Sequence, residues 1–397
     1  MSGGGPALDE RPADRVASPS SAAECAAAII EAAAAGHAVV PWGGGTAIAH
    51  GNRLRAERWT ALLTRGMAGV HEYSPDDLVI TAGAGTTLAE VQSVLSEHRQ
   101  FLPIDPRWPE RATLGGLVAT NAAGRLRAAY GATRDRLLGF RAVLADGTEL
   151  RGGGKVVKNV AGYDLCRLLC GSWGTLGVVT EATFRVHPLP PVRRWMQFGA
   201  ANLSAALSAG VAAHRARLQS AALAAVGGPA PALIAALHGA AALVDWQERA
   251  LGEVAAAHGL QRGVEIAGDE AASRWAWDPD PALAARATLT ISALPGFAAA
   301  CEPLAAALVC DVASGVVEAS IDIAGIGGDG GLRRAAAALA TAAGPGGSVV
   351  WPRVPAAWRP AVDVWGPEPS TLELMRAIKQ ALDPGGTLSP GRFIGGL

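Results

Sequence analysis

The sequence has few cysteines, and this shortage limits the chemistry open to the protein. Five cysteines among 397 residues are an odd number and too few for a disulfide framework, so we expect a reducing, cytoplasmic setting. Cys166 and Cys170 stand four residues apart, but a zinc site or an iron–sulfur cluster would need at least two more ligands nearby. The sequence therefore predicts no metal site.

An excess of charge of either sign is also missing. Lysine and arginine together number 34 against 35 aspartates and glutamates, which gives no electrostatic case for binding nucleic acid or an anionic membrane. Lysine itself occurs only at positions 155, 158 and 379. Residues 1–19 contain acids and prolines where a signal peptide would need an apolar stretch, so we expect a disordered tail there.

The chain has no uninterrupted apolar run of the length of a transmembrane helix. Residues 221–244 contain no Asp, Glu, Lys or Arg and are the natural candidate, but Gly227, Gly228, Pro229 and Pro231 interrupt them. The pieces have the length of strands, so this stretch predicts a buried strand pair that leads into a helix. We expect no transmembrane segment.

Helix and strand patterns make the first half of the chain an α/β region. Residues 21–24 and 87–90 have the spacing of a capping box, which predicts helices that end near Gly36 and near Arg99. A further helix is expected at 164–170. Apolar segments and turn residues predict strands at 38–40, 60–64, 69–73, 78–82, 140–145, 148–151 and 177–186.

The second half differs in composition and indicates another domain. Alanine-rich helical segments alternate with short strands, such as 287–291 and 316–323, and a helix is expected at 372–382. A hydrophobic content of 50% is enough for two cores. We therefore predict a first domain at 20–190, a cap domain at 191–345, and a C-terminal segment, 346–397, that returns to the first domain.

A glycine loop follows the first predicted strand. Gly43, Gly44, Gly45 and Thr46 come directly after Pro41 and Trp42. A pyrophosphate needs several backbone N–H groups at close range, and glycines permit that approach because no Cβ stands in the way. The alternative is an ordinary flexible turn. The loop matches neither the dinucleotide fingerprint of a Rossmann fold nor a Walker A loop.

Two further loops combine glycine with small polar residues. In 113–124, hydroxyl and amide side chains alternate with small residues, which could pack against a flat ring system and donate to its polar rim. The alternative is a tightly packed helix start with Thr113 as its N-cap. The third element runs from 158–165 into 171–180. Three such turns within 140 residues are unusual if all of them are structural.

In this order the motifs resemble the FAD domain of the vanillyl-alcohol oxidase (p-cresol methylhydroxylase, PCMH) family. The resemblance covers about residues 20–190. The segments 158–164 and 388–393 resemble more narrowly the FAD-binding subunits of bacterial glycolate oxidase. The motifs are Pro41-Trp-Gly-Gly-Gly-Thr46, Ile80-Thr-Ala-Gly-Ala-Gly85, Thr113-Leu-Gly-Gly116 with Asn121 and Gly124, Tyr130-Gly131, Ala145-Asp-Gly147, and Gly171-Ser172 with Thr175-Leu-Gly177.

The resemblance implies an α+β fold, in which FAD lies between the two subdomains of a PCMH-type domain and an α/β cap domain is added. It assigns the pyrophosphate to Gly43, Gly44, Gly45, Thr46, Gly51 and Asn52. It also implies a group of residues that line the pyrophosphate and the flavin side of FAD: Thr113, Gly115, Gly116, Thr120, Asn121 and Gly124. The backbones of Val178 and Val179 would hold the adenine end.

Departures from the family pattern refine this expectation. Members with covalent flavin use a histidine or cysteine at defined loop positions, and 43–46 has neither, so we expect noncovalent FAD; His50 is the nearest candidate for a link. Relatives often have an acid where Trp173 stands and an asparagine where Ser389 stands. Local contacts there should differ.

Catalytic residues are not assigned by the sequence. Oxidation of a 2-hydroxy acid needs a base for the hydroxyl proton and a cation for the carboxylate. His214, His238 and His258 are scattered, and an ordinary role is the simpler interpretation of each. Arg107 and Arg353 are candidates for the carboxylate, but more than thirty basic residues make any single choice weak.

The resemblance implies a place in a three-part enzyme. In it, a sister flavin subunit oxidises glycolate, a small 2-hydroxy acid, and an iron–sulfur subunit passes electrons onward. This chain would be an auxiliary or electron-relaying FAD subunit, with peripheral membrane association only through the complex. The alternatives are a self-sufficient FAD-dependent 2-hydroxy-acid dehydrogenase, a flavin-free scaffold, and a reductase of the peptidoglycan-precursor type, for which no nicotinamide signature is present.

Overall fold

The structure is a computed structural model that describes residues 5–154, 163–275 and 281–397. The motif at 158–164 lies almost wholly outside the described residues. By its internal contacts the chain forms two compact units. Unit 1 comprises the residues up to Gly124 together with Gly131–Leu189 and Pro367–Leu397. Unit 2 comprises Arg125–Tyr130 and Pro190–Gly366.

The elements between residues 7 and 188 are mostly short. The strands are β1 (Ala7–Leu8), β2 (Arg11–Pro12), β3 (Arg15–Ala17), β4 (Ala38–Trp42), β5 (Trp59–Leu63), β6 (Val70–Ser74), β7 (Val79–Gly83), β8 (Gln100–Phe101), β9 (Leu137–Val143), β10 (Glu149–Gly153), β11 (Val178–Arg185) and β12 (His187–Pro188). The helices are α1 (Ala22–Ala34), α2 (Leu88–Ser96), α3 (Leu114–Thr120), α4 (Arg127–Tyr130), α5 (Thr133–Arg136) and α6 (Leu165–Leu169). All belong to unit 1 except α4.

Two main sheets build unit 1. One is parallel with the order β3-β5-β4, and the other is antiparallel with the order β10-β9-β11-β7-β6. Helix α1 packs between them, because Cys25 and Ile29 share one apolar core with Val39 of β4 and with Val143 and Val178 of the larger sheet. This packing fixes the end of β4, from which the glycine loop starts.

The capping box predicted at 87–90 is confirmed, and the one predicted at 21–24 forms only its N-cap half. The Thr87 side chain and Glu90 form a reciprocal capping box at the start of α2. Ser21 caps α1 by accepting the N–H of Glu24, while the Glu24 carboxylate accepts the N–H of Ser20. These groups lie three or four residues apart, so the sequence alone determines that they meet.

The N-terminal segment differs from the expectation of a disordered tail at 1–19. In the structure β3 pairs in parallel with β5, and the Asp14 carboxylate accepts the N–H of Trp59 at 2.9 Å. An open strand edge presents unpaired N–H and C=O groups, which a polar segment can satisfy through its backbone alone. The pairing thus overrides the composition of residues 15–17.

Unit 2 is built on one long antiparallel sheet. Its strands are β13 (Val192–Gly199), β14 (Ala222–Val226), β15 (Ala232–Gly239), β16 (Val264–Ile266), β17 (Ala284–Thr288), β18 (Ala305–Asp311), β19 (Val316–Ile321) and β20 (Ser348–Arg353), in the order β16-β13-β15-β14-β18-β19-β17-β20. Its helices after α4 are α7 (Leu203–Arg215), α8 (Ala241–Ala257), α9 (Gly268–Trp275), α10 (Leu294–Cys301), α11 (Ile323–Ile326) and α12 (Gly328–Ala343).

The apolar run 221–244 forms β14, β15 and the start of α8, as predicted. Among the residues that the structure describes, no helix combines the length and apolarity needed to cross a bilayer. The strand expected at 287–291 lies earlier, at Ala284–Thr288, because it pairs with both β19 and β20. That pairing also keeps β20 in unit 2, so the chain returns to unit 1 at Pro367 rather than at 346.

The last helix, α13 (Leu372–Leu382), belongs to unit 1 and has the predicted bounds. Short 3-10 turns lie at Thr64–Gly66, Ile291–Ala293, Ala356–Ala361 and Ile394–Gly396. Beyond α13, Leu388 forms a parallel bridge with Val39, and Ser389 donates its N–H to the Val39 carbonyl at 2.9 Å. The C-terminal segment therefore extends the backbone pairing of β4.

A buried ion pair anchors this segment. The Lys379 ammonium donates to the Asp383 carboxylate at 2.5 Å, to the Thr175 carbonyl at 2.7 Å and to the Leu388 carbonyl at 2.8 Å. The Asp383 carboxylate in turn accepts the N–H groups of Thr387 and Leu388. Burial lowers the pKa of Lys379, and the hydrogen bond and charge of Asp383 oppose that shift. Both charges are therefore satisfied without water.

Asp311 holds the β18–β19 turn from a buried position. Its carboxylate accepts N–H bonds from Ala313 at 3.1 Å and Ser314 at 3.3 Å, and also the Ser314 hydroxyl. Burial raises the pKa of this carboxyl to about 6, although the bonds from Ser314 and Ala313 lower it. In the unfolded chain the pKa of an aspartate carboxyl is about 3.9. The folded chain thus binds the additional proton between these values, and stability falls as pH rises through that window.

We expect Asp311→Asn to remove this pH dependence. The asparagine keeps an oxygen for the two N–H groups and has no charge to bury. Between about pH 4 and about pH 7, the free energy of unfolding of the wild type should fall relative to the variant by roughly 2 kcal/mol. Denaturant unfolding of both proteins across this range measures the difference, and parallel stability curves would contradict the assignment.

We expect Lys379→Met to destabilise unit 1 by about 3 kcal/mol, because it leaves the Asp383 charge buried without its cation. Adding Asp383→Asn should recover part of that loss, since the uncompensated charge is then gone. Arg376→Met is the matched control, because Arg376 lies on the same helix and forms exposed pairs with Glu373 and Glu368. Thermal and denaturant unfolding of the wild type, the two single variants and the double variant measure these changes in stability. Equal effects of the Lys379 and Arg376 variants would refute a special role for the buried pair.

Candidate functional site

The glycine loop 43–46 lies directly against the start of α3. A Cβ on Gly43 would lie 2.2 Å from the Thr113 hydroxyl oxygen, and one on Gly44 would lie 1.7 Å from the Arg111 carbonyl oxygen. Arg111 also donates from its guanidinium to the Gly44 carbonyl at 3.3 Å. Because these two approaches leave no room for a side chain, the glycines at 43 and 44 are required for the two loops to meet.

The N–H groups of this loop are not used within the described part of the chain. No hydrogen bond there takes the N–H of Gly43, Gly44, Gly45 or Thr46, although the loop carbonyl of Gly44 is bonded. All four residues are half-buried, and Gly45 has a φ of +71°. Successive backbone donors in such a turn form a concave anion site. The loop thus offers N–H donors without an acceptor in the described residues, the type of group that a pyrophosphate requires.

The N-terminus of α3 uses its N–H groups inside the protein. Thr113 is the N-cap, with its hydroxyl accepting the N–H of Gly116 at 3.3 Å. The N–H groups of Leu114 and Gly115 donate to the carbonyls of Thr86 and Ala84 at 2.9 and 2.8 Å. The alternative interpretation of this loop, a packed helix start, thus describes its first turn. Gly115 is needed for packing, since its Cβ would lie 2.9 Å from that of Ala84.

The other face of α3 is made of small residues. Leu114, Leu117 and Val118 are buried on one side, whereas Gly116 and Thr120 are half-buried on the opposite side. A Cβ on Gly116 would meet only the Thr113 hydroxyl oxygen, at 3.2 Å. Packing within the chain therefore does not require glycine at 116, and this flat face is the one on which a ring system could lie.

The end of the same loop is fixed by internal contacts. Asn121 ends α3 in the left-handed region with φ +48°, and its side-chain oxygen accepts the N–H of Arg134 at 3.1 Å. Gly124 lies against Asp105, whose carbonyl oxygen would be 2.0 Å from an added Cβ. Asn121 and Gly124 thus have structural roles besides any contact with a cofactor.

The third loop, 171–177, connects the first two. Gly171 and Trp173 donate their N–H groups to Val118 and Ala119 of α3 at 2.9 and 2.8 Å. The Trp173 ring packs edge-on against His50, with ring centres 4.7 Å apart. The contact explains how Trp173 is accommodated where relatives often have an acid. All three loops singled out in the sequence therefore converge, as far as their residues are described.

Gly51 and Asn52 are held by the C-terminal segment. Asn52 donates its N–H to the Arg392 carbonyl at 2.9 Å, and a Cβ on Gly51 would lie 2.8 Å from the Arg392 guanidinium. That guanidinium donates to the carbonyls of Ile48 and His50 at 2.6 and 3.0 Å. Arg392 thus supports the loop from within the protein. Arg392 lies in the segment 388–393 that carries the resemblance, but nothing in the sequence near it identifies Ile48 and His50 as its partners.

Val178 and Val179 lie in β11, opposite Val143 and Ala142 of β9. Both side chains are buried, and Val178 shares a core with Val39 of β4. Their backbones belong to the sheet next to an irregularity in the ladder between Val179 and Glu181. Contact of these two residues with an adenine stays a prediction.

Two family models match the chain at the places where unit 1 is built. Residues 13–153 match the FAD binding domain, and residues 367–393 match the C-terminal domain of FAD linked oxidases. The first match contains the glycine loop and α3, and the second contains α13, Lys379 and Arg392. The matches indicate FAD as the cofactor.

Curated relatives match over about a third or somewhat more of the chain. Glycolate oxidase subunit GlcE of Escherichia coli K12 is 48% identical over 123 residues, which are 31% of this chain and 35% of that protein. Glycolate oxidase subunit GlcD of Bacillus subtilis 168 is 36% identical over 168 residues, or 42% and 36%. D-lactate dehydrogenase of Archaeoglobus fulgidus is 42% identical over 146 residues, or 37% and 32%. The chain thus matches about a third of the length of these relatives.

The fold extends further than the sequence matches. Solved structures of alkyldihydroxyacetonephosphate synthase superpose with TM-scores of 0.70 and 0.71 and cover 96% of this chain and 78% and 77% of theirs. The sequence identity is 18%, so this likeness concerns the fold alone. The predicted fold class, α+β with a PCMH-type FAD-binding domain, is confirmed. Residues 13–153 and 367–393 are thus similar to the FAD binding domain and to the C-terminal domain of FAD linked oxidases.

Proposed function

We propose that this chain is the FAD-binding subunit of a glycolate or related 2-hydroxy-acid oxidase. In this proposal unit 1, with its returning segment Pro367–Leu397, is the FAD-binding domain, and unit 2 is the cap. A catalytic flavin subunit and an iron–sulfur subunit are its partners, and this chain has an auxiliary or electron-relaying role. The observation on which the proposal depends is the row of N–H groups at 43–46, held against α3 with no partner in the described chain.

The residues present suit FAD. The N–H groups of Gly43, Gly44, Gly45 and Thr46 would bind its pyrophosphate, and the small face of α3 at Gly116 and Thr120 would receive the ring system. When bound, FAD supplies the acceptor for the electron pair of a 2-hydroxy acid. The remaining predicted contacts, those of Gly51, Asn52, Thr113, Gly115, Asn121, Gly124, Val178 and Val179, are part of this proposal. The loop 43–46 contains no histidine or cysteine, which supports noncovalent binding.

The subunit role is supported by the two relatives that are named as glycolate oxidase subunits. A second candidate is a self-sufficient FAD-dependent 2-hydroxy-acid dehydrogenase, because other relatives of similar identity are named D-lactate dehydrogenase or D-2-hydroxyglutarate dehydrogenase. The family matches do not favour a flavin-free scaffold.

Turnover by the isolated chain distinguishes the two candidates. With glycolate and an electron-accepting dye, the purified chain should reduce no dye, while the chain co-expressed with a flavin subunit and an iron–sulfur subunit should do so. Flavin and iron analysis of the co-purified material measures the stoichiometry. Rapid dye reduction by the chain alone would defeat the auxiliary role and support the dehydrogenase.

We expect Gly116→Ala to weaken FAD binding without unfolding the protein. The added methyl touches only the Thr113 hydroxyl within the chain and favours a helix, but it stands on the face proposed for the ring system. The dissociation constant of FAD should rise by about tenfold, corresponding to roughly 1.4 kcal/mol. Flavin fluorescence titration of the apoprotein measures it.

Two matched glycine variants are the controls for this result. Gly115→Ala places its methyl against Ala84 and should lower the melting temperature of the apoprotein, which Gly116→Ala should not. Gly252→Ala, in α8 of unit 2, meets no atom within 4 Å and should affect neither property adversely. Unchanged FAD affinity in a well-folded Gly116→Ala protein would remove this face from the site.

A further inference from the structure

The sheet of unit 2 has two faces with different coverings. Met196 and Phe198 of β13 belong to the large core on one face, whereas Trp195 contacts a smaller cluster on the other face. That smaller cluster includes Ala236 of β15 and is packed by Tyr130. Directly paired residues of antiparallel strands share a face, and successive residues alternate.

Arg193 and His238 lie side by side on this second face. They are paired across β13 and β15, two residues from the pair of Trp195 with Ala236. Paired residues have Cβ atoms about 5 Å apart, so a group bound by one can be reached by the other. Ala236, the next residue of β15 on this face, is paired with Ala222 of β14, so the side chains at both of these positions are small.

The adjacent arginine shows the contrast between the faces. Arg194 projects to the opposite face, where its guanidinium pairs with Asp245 at 3.0 Å and with Glu248 at 2.5 Å. The Arg193 side chain is exposed, and in the residues that the structure describes it has neither an ion pair nor a hydrogen bond. A guanidinium presents several N–H donors in a plane, an arrangement that matches a carboxylate.

Tyr130 fixes the imidazole of His238. The Tyr130 hydroxyl lies 3.1 Å from Nδ1 of His238. Burial, and then the charge of Arg193, lower the pKa of His238 to about 4, while burial raises the pKa of Tyr130. Near neutral pH both groups are thus uncharged, and the direction of the hydrogen bond between the hydroxyl and Nδ1 depends on the imidazole tautomer. In the tautomer in which the phenol donates to Nδ1, the imidazole proton is on Nε2, which adds a second donor beside Arg193.

We propose that Arg193 and Nε2–H of His238 bind the carboxylate of a small hydroxy acid, with Tyr130 as the positioning residue. That the ligand is a 2-hydroxy acid depends on the function proposed above; that it is a carboxylate depends on the two donors alone. Trp195 forms the apolar side of the site and is covered by the Arg125 guanidinium at 4.9 Å from the ring centre.

Calorimetric titration of the full-length flavoprotein with glycolate and with D-lactate tests the site. Glycolamide, which lacks the charge, should bind at least tenfold more weakly than glycolate. Arg193→Gln should weaken glycolate binding by about tenfold or more, because a charge-assisted bond is lost. Arg262→Gln is the control, since Arg262 is an exposed arginine of the same unit without an ion pair in the described residues. It should leave affinity unchanged.

The role of Tyr130 has its own readout. Nitrogen-15 NMR of labelled protein, with His238 assigned by His238→Gln, should show the Nε2–H form in the wild type. Tyr130→Phe should shift this signal toward a tautomer mixture and weaken glycolate binding several-fold. A purely structural Tyr130 would leave the tautomer unchanged, and that result would overturn its assignment.

The outcomes separate this proposal from the function proposed for the whole chain. Glycolate binding that is insensitive to Arg193→Gln, or no carboxylate binding at all, overturns the site even if the assembled complex oxidises glycolate. Binding that depends on Arg193, together with a complex that reduces no dye with any 2-hydroxy acid, supports the carboxylate site and rejects the proposed function.

Discussion

The close approach of the 43–46 loop to the start of α3 is the constraint on which the candidate site depends. Side-chain atoms are excluded at Gly43 and Gly44 by Thr113 and Arg111, so the backbone itself forms the surface. A backbone surface offers N–H donors at fixed spacing, which side chains on flexible stems would not. The rest of unit 1 holds these two loops together. The glycine loop begins where β4 ends and packs against Thr113, the N-cap of α3. The C-terminal segment pairs with Val39 of β4.

The two loops differ in whether their N–H groups are hydrogen-bonded within the protein. The first turn of α3 gives its N–H groups to Ala84, Thr86 and its own cap, and so is rigid. The N–H groups of the glycine loop have no acceptor within the described residues, while Arg111 holds the Gly44 carbonyl and Arg392 holds the Ile48 carbonyl just beyond the loop. An anion site made this way needs no cationic side chain of its own. This agrees with a sequence in which lysine is nearly absent and in which Lys379 stabilises the fold instead.

Local features were predictable because both partners lie within a few residues. The capping box at Thr87 and the bounds of α13 both followed from short patterns. Features made by distant partners were not. Lys379 and Asp383 could have been noticed as a lysine and an acid four residues apart in a chain with three lysines, but their contacts with Thr175 and Leu388 could not. The N-terminal strands and the late end of unit 2 likewise arise from pairing to strand edges, which composition does not encode.

The two faces of the unit 2 sheet show what clustering along the chain does not reveal. Scattered histidines in the sequence indicated ordinary roles, because clustering along the chain was the only available signal. In a sheet, residues 45 positions apart become direct neighbours, as Arg193 and His238 do. One strand also supplies opposite environments at adjacent positions, so Arg194 is neutralised by acids while Arg193 is not. The distance between two residues along the sequence therefore says little about whether their side chains meet across strands. The strand register determines which side chains can act together.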